Sequence, residues 1–391
     1  MNRDDSQPHI AIACGGTGGH LFPGVAVGRE LLNRGAAVTL FVSTKEVDRQ
    51  AVATVPAEFG VETLPAVGLS RGRAVTSVLN ALRSGWHARA FFRARPTAAA
   101  LAMGGFTSLP VLFAARSCGA VTFLHESNTI PGRANRWLAP WVSTCFVGFE
   151  EAAPRLRNPR VSVTGTPVRG GFVPADPSVA RVALGLAPDR PVLLVVGGSQ
   201  GAEGVNRLVT QSLTTLLAAA PDLQVFHIAG ARDFDAVRSA AGIHGPRVRV
   251  VAFHAAMDLA LAAATVAVSR SGASSLAEFA AMRVPPVLIP FPAATDDHQR
   301  ANARAMVRVG AARLLEPVGA RPEDLVREVL ALTGDAASRE AMAHRLALID
   351  SPGAAARIAD SVLSAVGAAA LTSRAAGTLN LGTPRIRRTA A

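Results

Sequence analysis

The chain has 391 residues, which at roughly 100–200 residues per domain points to two domains rather than one. Hydrophobic residues make up 49% and charged residues 17% of it, which excludes intrinsic disorder for the body of the chain. Lys and Arg number 40 against 28 Asp and Glu, a formal net charge of +12; a surplus of that size points to anionic partners such as phosphates, nucleotides, nucleic acid or an acidic membrane face, without choosing among them.

Residues 1–8 are polar and carry Asp4 and Asp5, unlike the basic-then-apolar start of a secretory signal. Residues 10–14 are a short apolar run entering Gly15-Gly16-Thr17-Gly18-Gly19-His20. Val25, Ala26, Leu31 and Leu32 follow at helical spacing before Gly35, so the opening reads as strand, glycine loop, helix. Further buried strands are predicted at 38–42, 98–103, 121–124 and 144–147, with helical stretches between them. That alternation indicates a parallel sheet covered on both faces. The charge-free stretch 97–115 contains Gly104-Gly105, Thr107, Ser108 and Pro110, which breaks a spanning helix; no transmembrane segment is predicted, and membrane contact is expected to be peripheral.

The same grammar restarts at 192–196, which enters Gly197-Gly198-Ser199-Gln200-Gly201 and then a helix over 205–217. Strands are expected at 223–228, 247–251, 265–268 and 286–289. The predicted fold class is therefore α/β, two Rossmann-like domains facing a cleft. Pro and Gly in Thr166-Pro167-Val168-Arg169-Gly170-Gly171 mark the join, dividing domain 1–168 from domain 169–350. Residues 367–391 have no apolar period and end in Arg385-Ile386-Arg387-Arg388, so a disordered basic tail is predicted there. Cys14, Cys118 and Cys145 form no C-x-x-C; neither disulfides nor zinc are suggested, and the chain reads as cytosolic.

Glycine loops between strand and helix let backbone N–H groups and a helix N-terminus approach a phosphate, although tight turns need glycine in any case. Gly16, Gly18 and Leu21 miss the third position of the dinucleotide fingerprint, and no Walker lysine follows either loop. His20 stands at the mouth of the first loop, where an imidazole suits a general base; elsewhere a lone histidine more often packs or caps. His125-Glu126-Ser127-Asn128 follows a strand and reads either as a substrate-facing loop or as side chains tied to neighbouring backbone. In the second half, Arg270 to Glu278 follows a strand and opens a helix, with small residues that permit close approach of an anion. Glu278, one turn in, could accept two hydrogen bonds from a ribose diol. Asp296-Asp297-His298-Gln299 with Asn302 could read sugar hydroxyls or simply cap a helix. Asp233-Phe234-Asp235 is read as helix capping, so no metal is predicted. Between residues 67 and 96, Arg71, Arg73, Arg83, Arg89, Arg93 and Arg95 accompany Leu79, Leu82, Trp86, Phe91 and Phe92 with no acidic residue. Such a segment suits an anionic membrane surface, extended by Arg133, Arg136, Trp137 and Trp141; the alternative is an ordinary helix with solvated arginines.

Taken together, GGTGGHLFPGVAV at 15–27, MGGFTSLP at 103–110, HESNTIPGRANRWLA at 125–139, GTPVR at 165–169, VVGGSQGAEGVN at 195–206, SRSGASSLAEFAA at 269–281 and PFPAATDDHQRANA at 290–303 resemble the MurG family of peptidoglycan N-acetylglucosaminyltransferases. Order and spacing agree over nearly all of residues 8–366. The resemblance implies a GT-B fold and inverting transfer of N-acetylglucosamine from UDP-GlcNAc to the C4 hydroxyl of the MurNAc unit of undecaprenyl-diphosphate-MurNAc-pentapeptide, lipid I, giving lipid II, without a cofactor. It implies His20 as base, with Glu126 assisting. Thr17, Gly18, Gly19 and Asn128 would reach the donor sugar, Arg169 and Ser199 the diphosphate. Ala273, Ser274, Ser275, Leu276, Ala277 and Glu278 would hold the nucleotide, and Gln299 the GlcNAc hydroxyls. His254 falls where the family contacts uracil through its backbone. A C-terminal helix over 353–366 would return to the first domain. The implied location is the cytoplasmic side of the cell membrane, peripherally bound to its anionic surface, with no nucleic-acid partner. HESN stands where HEQN is common, GTPVR where GNPVR is frequent, Phe106 where tyrosine is frequent, and His298 where another polar group is usual. A UDP-GlcNAc 2-epimerase or another GT-B enzyme, and a non-catalytic basic protein binding membrane or nucleic acid, are the competing readings; the last predicts steeply salt-dependent binding.

Overall fold

The computed structural model describes residues 7–44, 52, 55–65, 74–198 and 201–379. Among them, β1 (His9–Ala13), β2 (Ala37–Ser43), β3 (Gly60–Leu64), β4 (Ala99–Ala102), β5 (Val121–Glu126), β6 (Thr144–Val147) and β7 (Val161–Val163) form one sheet in the order β3-β2-β1-β4-β5-β6-β7. Every pairing is parallel. Its helices are α1 (Gly18–Asn33), α2 (Ala74–Ala94), α3 (Ser108–Ser117) and α4 (Arg133–Leu138). β1 is buried along its whole length, and its alternation divides two cores. Ile10 and Ile12 pack with Leu21, Val27 and Leu31 of α1, whereas Ala11 and Ala13 face Phe92 of α2 and Val111 of α3. An apolar run covered on both faces is what a central parallel strand requires.

The second sheet, also parallel throughout, has the order β10-β9-β8-β11-β12-β13. Its strands are β8 (Val192–Val196), β9 (Gln224–Ile228), β10 (Val248–Val251), β11 (Val266–Ser269), β12 (Pro286–Leu288) and β13 (Arg313–Leu314). Around it lie α5 (Pro177–Ala183), α6 (Glu203–Ala219), α7 (Phe234–Ala241), α8 (Met257–Ala263), α9 (Ala273–Met282), α10 (His298–Arg308), α11 (Pro322–Thr333) and α12 (Ala336–Ile349). One continuous core runs through this half. The strands missed by sequence patterning are β3, β7 and β13, all at sheet edges. There the burial is partial, so the apolar signal fades.

The last helix, α13 (Ala354–Leu379), returns to the first half: Ile358, Ala359 and Val362 are fully buried in the core beside α1. Arg357 donates to the Thr164 carbonyl at 2.7 Å, and Asp360 accepts from Arg34 at 2.7 Å. The helix runs past Val366 to Leu379, which corrects the disorder expected from residue 367. Ala368, Ala369 and Ala370 lack an apolar period but have the highest helix propensity of any residue; residues 380–391 lie outside the described residues. The stretch Ala336–Leu371 is long and apolar enough to cross a membrane by length and composition. Its helices are separated at Asp350–Gly353, and the buried face of α13 is committed to the first core.

Candidate active site

Each sheet reverses its strand order once, between β1 and β4 and between β8 and β11. The carboxyl ends of these strands open on a shared cleft of about 1110 Å³, the place where open α/β sheets bind ligands. Thr17, Gly18, Gly19, His20, Glu126 and Asn128 line it from the first half; Arg169, Ala273, Ser274, Ser275, Glu278 and Gln299 line it opposite. Leu276 does not: it follows one helical step behind the first turn of α9 and is buried in the second core. Ala277 is likewise absent from the lining, and Ser199 lies outside the described residues.

The glycine loop is dictated by crowding. A Cβ on Gly15 would stand 2.5 Å from the Ser43 backbone nitrogen. Gly104 and Gly105, with φ of +105° and +82°, let the backbone run against the His20 ring; added Cβ atoms would come within 3.0 Å of its Nε2 and 3.1 Å of its Nδ1. His20 is partly buried, with Nδ1 3.2 Å from the Thr17 hydroxyl. If Nδ1 carries the proton and donates to Thr17, the ring's lone pair is at Nε2.

Pro23 sits inside α1 and has no N–H for the carbonyl four residues earlier. That carbonyl, of Gly19, accepts instead from the Ser274 hydroxyl at 3.0 Å across the cleft. The N-termini of α1 and α9 thereby meet, and neither N-cap residue, Thr17 or Gly272, makes a side-chain cap. Two uncapped helix starts lining one space are chemically suited to an anion.

His125 and Glu126 follow their bland reading. His125 is fully buried; its Nε2 donates to the Gly165 carbonyl at 3.1 Å and its Nδ1 faces the Ser127 hydroxyl at 3.3 Å. Burial holds its pKa down to about 4, so it is neutral at pH 7. Glu126 accepts from the backbone N–H groups of Asn128 and Gly132 at 2.8 and 2.9 Å, and from the amides of Asn128 and Asn135 at 2.9 and 2.8 Å. With both oxygens so occupied, its geometry is that of a strut fixing the loop rather than of a proton relay to His20.

Opposite, Glu278 is set against Arg169 at 3.9 Å, and burial, opposed by Arg169 and reinforced by Asp258, pushes its pKa up to about 7. The Arg169 guanidinium lies 4.0 Å from the centre of the Phe22 ring, with its Nε buried and unpartnered. His254 also lines the cleft, edge-on to Phe226, with a buried, unpartnered Nε2. Gln299 accepts the Phe291 N–H at 2.9 Å, while its carbonyl accepts from Ser271 at 2.7 Å.

Sequence reading missed the contacts between the halves. Asp296 is not a cap: it accepts from Arg133 at 2.8 Å and from Arg136, on α4. Both arginines, part of the expected basic patch, are thus paired with a carboxylate while staying exposed. Asp233 stands at the N-cap of α7 without capping it, and instead accepts from Asn206 at 2.8 Å and Arg232 at 2.9 Å. Phe91 and Phe92, expected to be exposed, pack 5.3 and 5.4 Å from Phe41. Pro23 was the one available signal, since a proline beyond the first turn of a helix leaves the carbonyl four residues earlier without its N–H.

Residues 10–147 match the Glycosyltransferase family 28 N-terminal domain and residues 192–358 its C-terminal domain. A UDP-N-acetylglucosamine--N-acetylmuramyl-(pentapeptide) pyrophosphoryl-undecaprenol N-acetylglucosamine transferase of Prochlorococcus marinus is 38% identical over 78% of this chain and 82% of its own length. One of the same name from Gloeobacter violaceus is 34% identical over 92% and 99%. The chain belongs to the MurG family. The crystal structure of Acinetobacter baumannii MurG superposes with a TM-score of 0.69 over 92% of this chain and 99% of that one, at 24% identity, and shares the two-domain fold. Within the MurG family pattern, Thr166 of GTPVR and Ser127 of HESN are both buried. Phe106 packs its ring over Gly16, 3.1 Å from where a Cβ would stand.

Proposed function

We infer that this protein transfers N-acetylglucosamine from UDP-GlcNAc to the C4 hydroxyl of the MurNAc unit of lipid I, with inversion, to form lipid II. The observation that carries the reading is the membership of the MurG family over most of the chain, joined to a cleft lined by the His20 imidazole and by the N-termini of α1 and α9. His20 takes the proton of the acceptor hydroxyl, whose oxygen attacks the anomeric carbon; the bond from that carbon to the diphosphate breaks and its electron pair leaves with UDP. The N-termini of α1 and α9 and the Arg169 guanidinium oppose the charge that develops on the leaving diphosphate. Glu278 holds the ribose hydroxyls and Gln299 those of GlcNAc. The epimerase reading shares this fold but not the names of the relatives.

The test is transfer of labelled GlcNAc from UDP-GlcNAc to a short-chain lipid I analogue. Wild type should transfer, and His20→Ala should lose about 10²- to 10⁴-fold in kcat while keeping its UDP affinity. Donor binding by wild type without transfer would reopen the acceptor; an unimpaired variant would remove His20 as base.

We further propose that the enzyme works peripherally at the anionic cytoplasmic face of the cell membrane. Supporting this, α2 exposes Leu79, Leu82 and Trp86, the last 79% accessible, beside exposed Arg83, Arg89 and Arg93. Trp137 and Trp141, both about half exposed, pack on Phe113 of α3, the helix against which α2 rests. Arginines around apolar side chains favour an interfacial position. Reversing charge at Arg83, Arg89 and Arg93 should release the protein from anionic vesicles in flotation; undiminished binding would refute the surface.

A further inference from the structure

Resting on that functional reading, we propose that Asn302 is a positioning residue for transfer: it couples the two halves of the site by holding the Asn128 amide in register with the start of α9. Asn302 is fully buried, although it arises from α10 in the second half and its partners lie largely in the first. Its Oδ1 accepts from both the backbone N–H and the hydroxyl of Thr129, each at 3.0 Å. Its Nδ2 donates to Asn128 Oδ1 at 3.0 Å and to the Ser271 carbonyl at 3.1 Å. A side-chain amide offers two acceptor sites and two N–H donors, and here all are used.

The orientation of the amide follows from its partners. A backbone N–H and a hydroxyl held by one atom require an oxygen there, and the Ser271 carbonyl requires a donor. Aspartate cannot replace asparagine, because it has no N–H and would turn a carboxylate oxygen on two acceptors. Neither can alanine, because it leaves the Thr129 N–H and the Ser271 carbonyl buried without partners.

The bridge reaches the reacting groups in both directions. Asn128 is pinned on its other side by Glu126, through backbone and side chain. Ser271 immediately precedes Gly272, the N-cap of α9, and its hydroxyl bonds the backbone of Gln299. A continuous chain of hydrogen bonds thus runs from Gly132 and Asn135 through Glu126, Asn128, Asn302 and Ser271 to Gln299. Beside the Ser274–Gly19 bond across the cleft, Asn302 is the side chain that ties Asn128 on one wall directly to the residue preceding the α9 start on the other.

The experiment uses the full chain, UDP-GlcNAc and a short-chain lipid I analogue. It compares wild type with Asn302→Asp, Asn302→Ala, Thr129→Val, Asn128→Ala and the Asn128→Ala/Asn302→Ala pair. Misplacement by about 1 Å can cost on the order of 100-fold, so kcat per UDP-binding site is expected to fall about 10- to 100-fold in the Asn302 variants. UDP affinity should stay within about twofold, because UDP without its sugar does not reach Asn128 and keeps its Arg169 and Glu278 contacts in the second half. Thr129→Val keeps the N–H and loses one bond, so it should show the same split in smaller degree and serves should the Asn302 variants fold poorly. Because Asn302 acts through Asn128, the pair should be no slower than Asn128→Ala alone. A wild-type kcat in folded Asn302→Ala, a loss confined to the number of UDP-binding sites, or multiplied losses in the pair would overturn the proposal. Absence of transfer by wild type would instead overturn the functional reading.

Discussion

Two glutamates line the cleft, one from each half, and their surroundings are opposite. Glu126, in the first half, is met by N–H donors on both oxygens. Glu278, in the second, has one guanidinium at 3.9 Å and a pKa pushed up to about 7 by burial. A carboxylate already satisfied by its own protein spends its hydrogen-bonding capacity on structure. One that is buried with little compensation gains most from a ligand's donors. The wall holding His20 is therefore preorganised by the protein, whereas the wall holding Glu278 keeps hydrogen-bonding capacity for a ligand.

The strongest way to break this contrast is Glu126→Ala. Losing the acceptor strands two backbone N–H groups and two side-chain amides, each worth about 1–3 kcal/mol when buried and unpaired. The melting temperature should drop by several degrees or more and transfer should be lost with it; a stable, inactive variant would mean that Glu126 acts chemically instead.

An intermediate effect is expected at Glu278. A ribose diol bonds the ionised carboxylate better than the neutral acid, so UDP affinity should rise as pH climbs through about 7, and Glu278→Gln should flatten that profile. The ligand-free protein should respond the opposite way. With its folded pKa raised above the ordinary 4.5 to about 7, the folded state binds more protons than the unfolded one in between. The stabilising contribution is complete below the ordinary value and is lost as pH rises through about 7. Thermal melts at pH 5 to 8, with and without UDP, test both signs; parallel profiles for wild type and Glu278→Gln would remove the contrast.

The smallest effect should come from Asp296→Asn. Its partners Arg133 and Arg136 are exposed, and exposed pairs contribute little. KM for UDP-GlcNAc should move less than about twofold, and any shift should vanish in high salt. A larger, salt-resistant loss would make this clasp part of the site.

Strands β1, β8 and β11 and the glycine loops after them were legible because central parallel strands are apolar on both faces and their turns demand glycine. From those runs the chain itself determined two doubly covered sheets, two strand-to-helix turns, the position of His20 and the family pattern that assigns roles around it. Only the tertiary structure decided what those groups touch. Leu276 went to the core while Glu278, half a turn on, returned to the cleft, because the helix rotates each successive residue. Glu126 became a strut because Gly132 and Asn135 fold back on it. Asp296 reaches Arg133 from a backbone with φ of +52°, followed by Asp297 at +56°, conformations that periodicity does not encode. Asn302 looked like a polar first-turn residue, and its bridge exists only because α10 is pressed against the loop after β5. Local periodicity reports which face of an element is buried; partners far apart in sequence are set by how the two halves close on one another.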